Sequence, residues 1–180
     1  QEESSPELLS ASERAYGRKG AGIIGMRNAP RFVESKAQFL RHGHALATLD
    51  ADYLEENLVD AESLYNAGWS HGKEKMGNTP DLAKGSFYYN PVTDSPGTKE
   101  ERQLYKYSYI DNLWPDEAVL PGFRQHAVRL GIILTNSCGE LSRHLDRYVV
   151  SQDKTYEPFL YKHLKGTEKA KARLLYYFPL

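Results

Sequence analysis

Phe123, Ala127, Leu130, Leu134, Cys138, Leu141, Leu145 and Tyr148 recur at spacings of four, three, four, four, three, four and three. Residues so spaced share one face of an α-helix, which predicts a single amphipathic helix of roughly 28 residues and about 42 Å opening near Pro121. An element of that length must lie along whatever core the chain builds. Cys138 falls on the stripe and so reads as a buried structural thiol. As the sole cysteine, it excludes an internal disulfide and a multi-cysteine zinc site and fits a reducing compartment, with cytoplasmic localisation the expectation.

The last ten residues, Lys171-Ala-Arg-Leu-Leu-Tyr-Tyr-Phe-Pro-Leu180, set the second constraint. Their apolar run is continuous rather than alternating, which predicts a strand covered on both faces, although periodicity alone also admits a short buried helix. A strand needs partners for its backbone, and the preceding residues supply few. At 180 residues, 40% hydrophobic and 26% charged, the chain has the composition of one ordinary domain. A formal net charge of -1 gives no field to draw in nucleic acid or an acidic membrane, so neither is expected as a partner. Apolar runs fall far short of the roughly 18 residues of a membrane helix, and no signal peptide is visible, so a soluble protein is expected. The chain opens on Gln1, which admits a piece cut from a longer one.

Along the chain, residues 1–19 form a polar, serine-rich segment expected to fray or make a short surface helix. Gly20-Ala-Gly-Ile-Ile-Gly-Met26 reads as a short strand. Its glycines have G-x-G-x-x-G spacing but lie inside the apolar run rather than after it, so close packing is preferred to a phosphate loop. Asn28 and Pro30 look like a helix entry, with Val33, Ala37, Leu40 and Ala47 on its apolar face, widened by Phe32, Phe39 and Leu46, and Asp50 caps a second helix through Leu58. His42 and His44, two apart on a helix, diverge by about 200° and read as a solvated pair. Residues 66–81 read as an ordered loop, 86–89 as a strand, 105–110 as extended, 112–117 as an anchored loop and 153–164 as a helix. The aromatics beside Ser86 and Asn90 are enough to line a small-molecule pocket, or equally to pack a sheet.

His144-Leu145-Asp146 with His163 downstream supplies the residue types of a two-histidine, one-carboxylate iron site. H-x-D converges on a metal only in extended backbone, whereas this copy lies on the long helix, where its side chains diverge. With Arg143 and Arg147 beside it, a solvated, salt-bridged face is expected instead. No Gly-x-Ser-x-Gly elbow occurs, and Cys138 has no base beside it.

Four segments together carry a resemblance: Lys84-Gly-Ser-Phe-Tyr-Tyr-Asn-Pro91, Leu113-Trp-Pro-Asp-Glu117, Leu120-Pro-Gly-Phe123 at the head of the long helix, and Arg173-Leu-Leu-Tyr-Tyr-Phe-Pro179. In order and spacing they resemble the N-terminal half of isopenicillin N synthase-like, 2-oxoglutarate-dependent Fe(II) oxygenases. The resemblance spans about residues 20–180, with Ala21 to Arg27 similar to the family's early strand.

It implies an α+β fold, a helix-rich N-terminal wrapper plus the first strands of a double-stranded β-helix, or jelly roll, incomplete in this chain. Residues 20–180 would be the dioxygenase N-terminal domain leading into that core. By position, Tyr177 would meet the 2-oxoglutarate carboxylate, although the family's Asn-x-Tyr is Leu175-Tyr176-Tyr177 here. Tyr88, with Ser86 and Asn90 around it, would face the substrate. The family's metal strand follows the strand with which this chain ends, and no residue matches an iron ligand. The resemblance therefore implies a piece of an oxidoreductase acting on a small organic molecule. Fe(II) and 2-oxoglutarate would be cofactors of the complete enzyme, neither binding tightly here, and the missing half of the core would be a partner. Half a jelly roll would expose edges and apolar faces and tend to aggregate. The alternative is a naturally short, non-catalytic binding or interaction protein derived from that family.

Overall fold

A computed structural model describes residues 4–179, and of Met76 the backbone alone. The elements in chain order are α1 (Pro6–Tyr16), α2 (Phe32–Leu40), α3 (His42–Ala47), α4 (Ala51–Leu58), β1 (Gly68–His71), β2 (Lys75–Met76), β3 (Thr79–Pro80), β4 (Lys84–Tyr89), α5 (Lys99–Leu104), α6 (Phe123–Gln152), α7 (Leu160–Gly166) and β5 (Ala172–Tyr177). The fold mixes helix with a small antiparallel sheet. It divides into a helical unit, residues 4–30 with 133–167, and a sheet unit, residues 31–132 with 168–179.

In the sheet unit β4 lies between β1 and β5, antiparallel to both. Side chains alternate across a strand, so Phe87 and Tyr89 on β4, Trp69 on β1 and Leu174 on β5 share one face. That face is buried with Phe39, Leu46, Leu54, Leu58, Leu120, Phe123, Ala127 and Leu130 from the helices and the loop before α6. Phe87 sits at its centre, edge-on to Phe123 with ring centroids 5.0 Å apart. The Trp69 ring lies where a side chain on Gly85 would be, 2.1 Å from an added Cβ.

Gly68 opens β1 with φ +71, and an added Cβ would come within 2.0 Å of the Leu58 carbonyl oxygen. Both the positive φ and the close approach demand glycine. Gly68→Ala is expected to cost about 2 kcal/mol or more, read as a lower urea midpoint at unchanged slope. A loss under about 0.5 kcal/mol would show that the α4-to-β1 corner is not held in this geometry.

In the helical unit α1 and α7 lie against the second part of α6. Ser4 and His144 Nδ1 are 2.8 Å apart, Tyr148 donates its hydroxyl to Glu13, and Ser12 turns its buried hydroxyl back onto the Leu8 carbonyl. α7 crosses at Gly139, where an added Cβ would lie 3.2 Å from Lys165. Asp146, 5% exposed, accepts from the Tyr156 hydroxyl and from the amides of Phe159, Leu160 and Tyr161. One carboxylate thus satisfies the free N–H groups that open α7.

Several sequence expectations give way. Residues 21–29 form no strand, with Ile23 and Met26 exposed and no neighbouring strand to pair with. Asn28 does not cap α2; Arg31 stands at the N-cap position in the left-handed region at φ 60, with no side-chain capping hydrogen bond. Of the expected apolar face Phe39 and Leu46 are buried, whereas Val33 and Leu40 are exposed, because the sheet meets the Phe39 side of α2. His42 and His44 diverge, and only His44 is solvent-exposed, 3.0 Å from the Tyr176 hydroxyl; His42 is partly buried, 2.9 Å from His126 Nδ1. Within 66–81 lie β1 and the β2–β3 hairpin. Residues 105–109 are turns, and only Leu160–Gly166 of the expected late helix is helical.

α6 runs 30 residues, close to expectation, but its stripe is buried only through Leu130. Leu134 and Cys138 are exposed, so Cys138 is not a buried thiol, because α7 covers the Gly139 and Asp146 side of the helix instead. Asp146 likewise belongs to a buried anchor, not to a solvated ion-pair face.

Candidate functional site

β5 forms as a strand, but it is covered on one face. Leu174 is buried, whereas Leu175 is 37% and Tyr177 67% exposed. The register sets Lys84 opposite Tyr177, Ser86 opposite Leu175 and Tyr88 opposite Arg173, all on the face turned away from the core. Ser70 of β1, paired with Ser86, extends this face. Three of the residues singled out from sequence, Ser86, Tyr88 and Tyr177, therefore share one side of two neighbouring strands.

The middle of the face is a charged network. Arg173 donates to the Ser86 hydroxyl from Nη2 at 2.7 Å and Nε at 3.2 Å, and to Glu74 Oε1 at 3.2 Å. Tyr88 donates its hydroxyl to the same Glu74 oxygen at 3.2 Å. Lys84 closes the network, 2.8 Å from Glu74 and 3.1 Å from Asp81. The Arg173 guanidinium lies 4.9 Å from the centre of the Tyr88 ring, within cation–π range. Ser86, 1% exposed, is covered by this arginine.

The titrations follow. The Lys84 hydrogen bond is the largest influence lowering the Glu74 carboxyl, with Arg173 adding to it, and Glu74 and Asp81 raise the Lys84 ammonium. Burial, opposed by the Arg173 charge, pushes the Tyr88 phenol up, so it remains a hydrogen-bond donor at neutral pH. The phenol, guanidinium and ammonium are all engaged with Glu74 and Asp81, two cations against two carboxylates, which leaves the exposed Tyr177 hydroxyl as the group this face offers a ligand.

Asn90 is placed elsewhere. It has left the strand and braces a turn, accepting from the amides of Val92 and Thr93 and donating to the Glu168 carbonyl at 2.6 Å. It lines a cavity of about 460 Å³ with Asn66, Tyr107, Asn112 and Lys171, which neither Ser86 nor Tyr88 reaches. Sequence reasoning missed Glu74, Lys84 and Arg173. Arg173 carried only a weak signal, a lone charge at the head of a run whose leucines and tyrosines fall equally on both faces.

No group of three or more His, Cys, Asp or Glu side chains that could hold a metal ion is gathered among the described residues. The side chains in place do not fit an iron centre. No helix among them is long and apolar enough to cross a membrane. Comparison with family models, with curated proteins and with solved structures finds no match.

Proposed function

We propose that this chain is the N-terminal part of a 2-oxoglutarate- and Fe(II)-dependent oxidoreductase acting on a small organic substrate. In this reading β1, β4 and β5 are early strands of a jelly-roll core, and the outer sheet face is pocket wall. The observation that carries it is the shared face. Ser86 and Tyr88 lie in one segment and Tyr177 in another some 90 residues later, and the register sets them on the same open side of adjacent strands. Tyr177, largely exposed, can offer its hydroxyl to a carboxylate of the cosubstrate. The iron would be held by residues outside this sequence, so no chemical step is assigned to these side chains.

The closed network favours a second reading, a short binding or interaction protein without catalysis. Ser86, Tyr88 and Arg173 already satisfy one another and Glu74, so no ligand is needed to complete the face.

The test is to assay the chain, extended by whatever its gene encodes after Leu180, for Fe(II)-dependent conversion of 2-oxoglutarate to succinate. Turnover is expected, with Tyr177→Phe raising KM for 2-oxoglutarate about tenfold, the loss of one charge-assisted hydrogen bond. Absence of turnover, or of an H-x-D strand and distant histidine in that extension, would sink the oxygenase reading and leave the second.

A further inference from the structure

The helical unit contains a cavity of about 610 Å³ whose lining includes Arg143, Arg147, Lys154 and Lys162 but only one acidic side chain, Asp146. Four cations against one lining carboxylate, with Glu140 paired to Arg143 at 3.3 Å, leave a local charge of +2 in a chain whose formal net charge is -1. Both oxygens of Asp146 are already taken by the donors that open α7. Among the described residues, no acidic side chain forms an ion pair with Arg147, Lys154 or Lys162. Gathering like charges without a counter-charge costs free energy, and a bound anion removes that cost.

Arg143 is the most constrained of the four. Its guanidinium carbon lies over the Tyr161 ring, 4.1 Å from the ring centre, and one terminal nitrogen reaches Glu140 at 3.3 Å. Its Nε is buried without an acceptor. The side chain as a whole is 40% exposed, so its terminal nitrogens, and not the covered Nε, would meet an oxygen entering the cavity. Arg147 lies one helical turn further along α6, so the two forks rise from the same side of that helix.

We propose that this cavity binds a phosphorylated small molecule carrying at least two negative charges. Arg143 and Arg147 of α6, Lys154 of the following turn and Lys162 of α7 would hold its phosphate oxygens, and the Tyr161 ring would bound its organic part. Arginine forks match phosphate oxygens two at a time, while lysine adds charge without fixed geometry. The volume is that of a small-molecule site, too large for one inorganic phosphate to fill. The proposal uses none of the sheet-face residues and stands whether or not the chain belongs to an oxygenase.

The 180-residue chain titrated calorimetrically with inorganic pyrophosphate is expected to show saturable one-site binding that weakens as salt is raised. Arg147→Gln should weaken it about tenfold, and adding Lys162→Gln about tenfold more, at unchanged far-UV circular dichroism. Arg147→Lys keeps the charge but not the fork, so it should weaken binding less than R147Q does, and it covers the case in which R147Q fails to fold. Lys106→Gln, outside the cavity, should leave binding unchanged. No saturable binding at about 1 mM pyrophosphate, or an equal loss from K106Q, would overturn the proposal. Capture by phosphatidylcholine vesicles doped with a phosphoinositide, without binding of soluble pyrophosphate, would overturn the small-molecule assignment.

Discussion

Phe87→Ala is expected to lower the stability of the sheet unit by about 3 to 5 kcal/mol. Phe87 has no exposed surface and touches aromatic rings on several sides: Phe123 edge-on at 5.0 Å, Trp114 at 5.9 Å and Tyr89 at 6.1 Å. Truncation removes the transfer free energy of the ring and leaves a cavity that stiff aromatic neighbours cannot collapse into. Trp69 and Trp114 are the chain's two tryptophans, and both pack in the same core. Tryptophan fluorescence in urea therefore reports this unit directly. The expected result is a large fall in midpoint at unchanged slope, with Val33→Ala, at a 75% exposed site, within about 0.5 kcal/mol of wild type. A loss below about 1.5 kcal/mol at Phe87 would mean that the buried face of β4 is not the one carrying Phe87 and Tyr89.

That face was only partly legible. The Lys84-to-Tyr89 strand follows from its β-favouring residues, and the long helix from its repeating spacing, because both are local patterns. The inner partner of each was not. β5 reads as continuously apolar, since tyrosine serves on either face: Tyr176 meets His44 beneath the sheet while Tyr177 projects into solvent. Only pairing with β4 separates the two, and pairing across some 90 residues leaves no local trace. The stripe on α6 shows the converse. Leu134 and Cys138 continue the helical period, yet the chain folds α7 over Gly139 and Asp146, where a residue without a side chain allows close approach. Of the candidate site, the residues named through resemblance lie on one face, but Glu74, which Arg173, Lys84 and Tyr88 all reach, sits in a loop with no pattern to mark it.

Asp146 shows how a charged residue comes to be buried in such a helix, and its removal is expected to have the second largest effect. Burial by itself would raise the carboxyl, but the Tyr161, Leu160 and Phe159 amides and the Tyr156 hydroxyl together hold it below its ordinary value of 3.8. A folded-state value below the unfolded one means that the stabilisation is fully present above the unfolded value. It is lost as pH falls through the folded value. Wild-type α7 should therefore loosen only in the acid range, below about pH 4. Asp146→Ala leaves the three amides that open α7 without their acceptor and should cost about 2 to 4 kcal/mol at neutral pH. Asp146→Asn keeps one oxygen but turns an amide donor towards other donors, so it should fall between the two. Hydrogen exchange is the direct measurement. Faster exchange of the Phe159, Leu160 and Tyr161 amides is expected in both variants, together with loss of the acid-range step seen in wild type. Unchanged protection in Asp146→Ala would show that the docking of α7 rests on Tyr161 and Lys165 against α6, with the carboxylate a bystander.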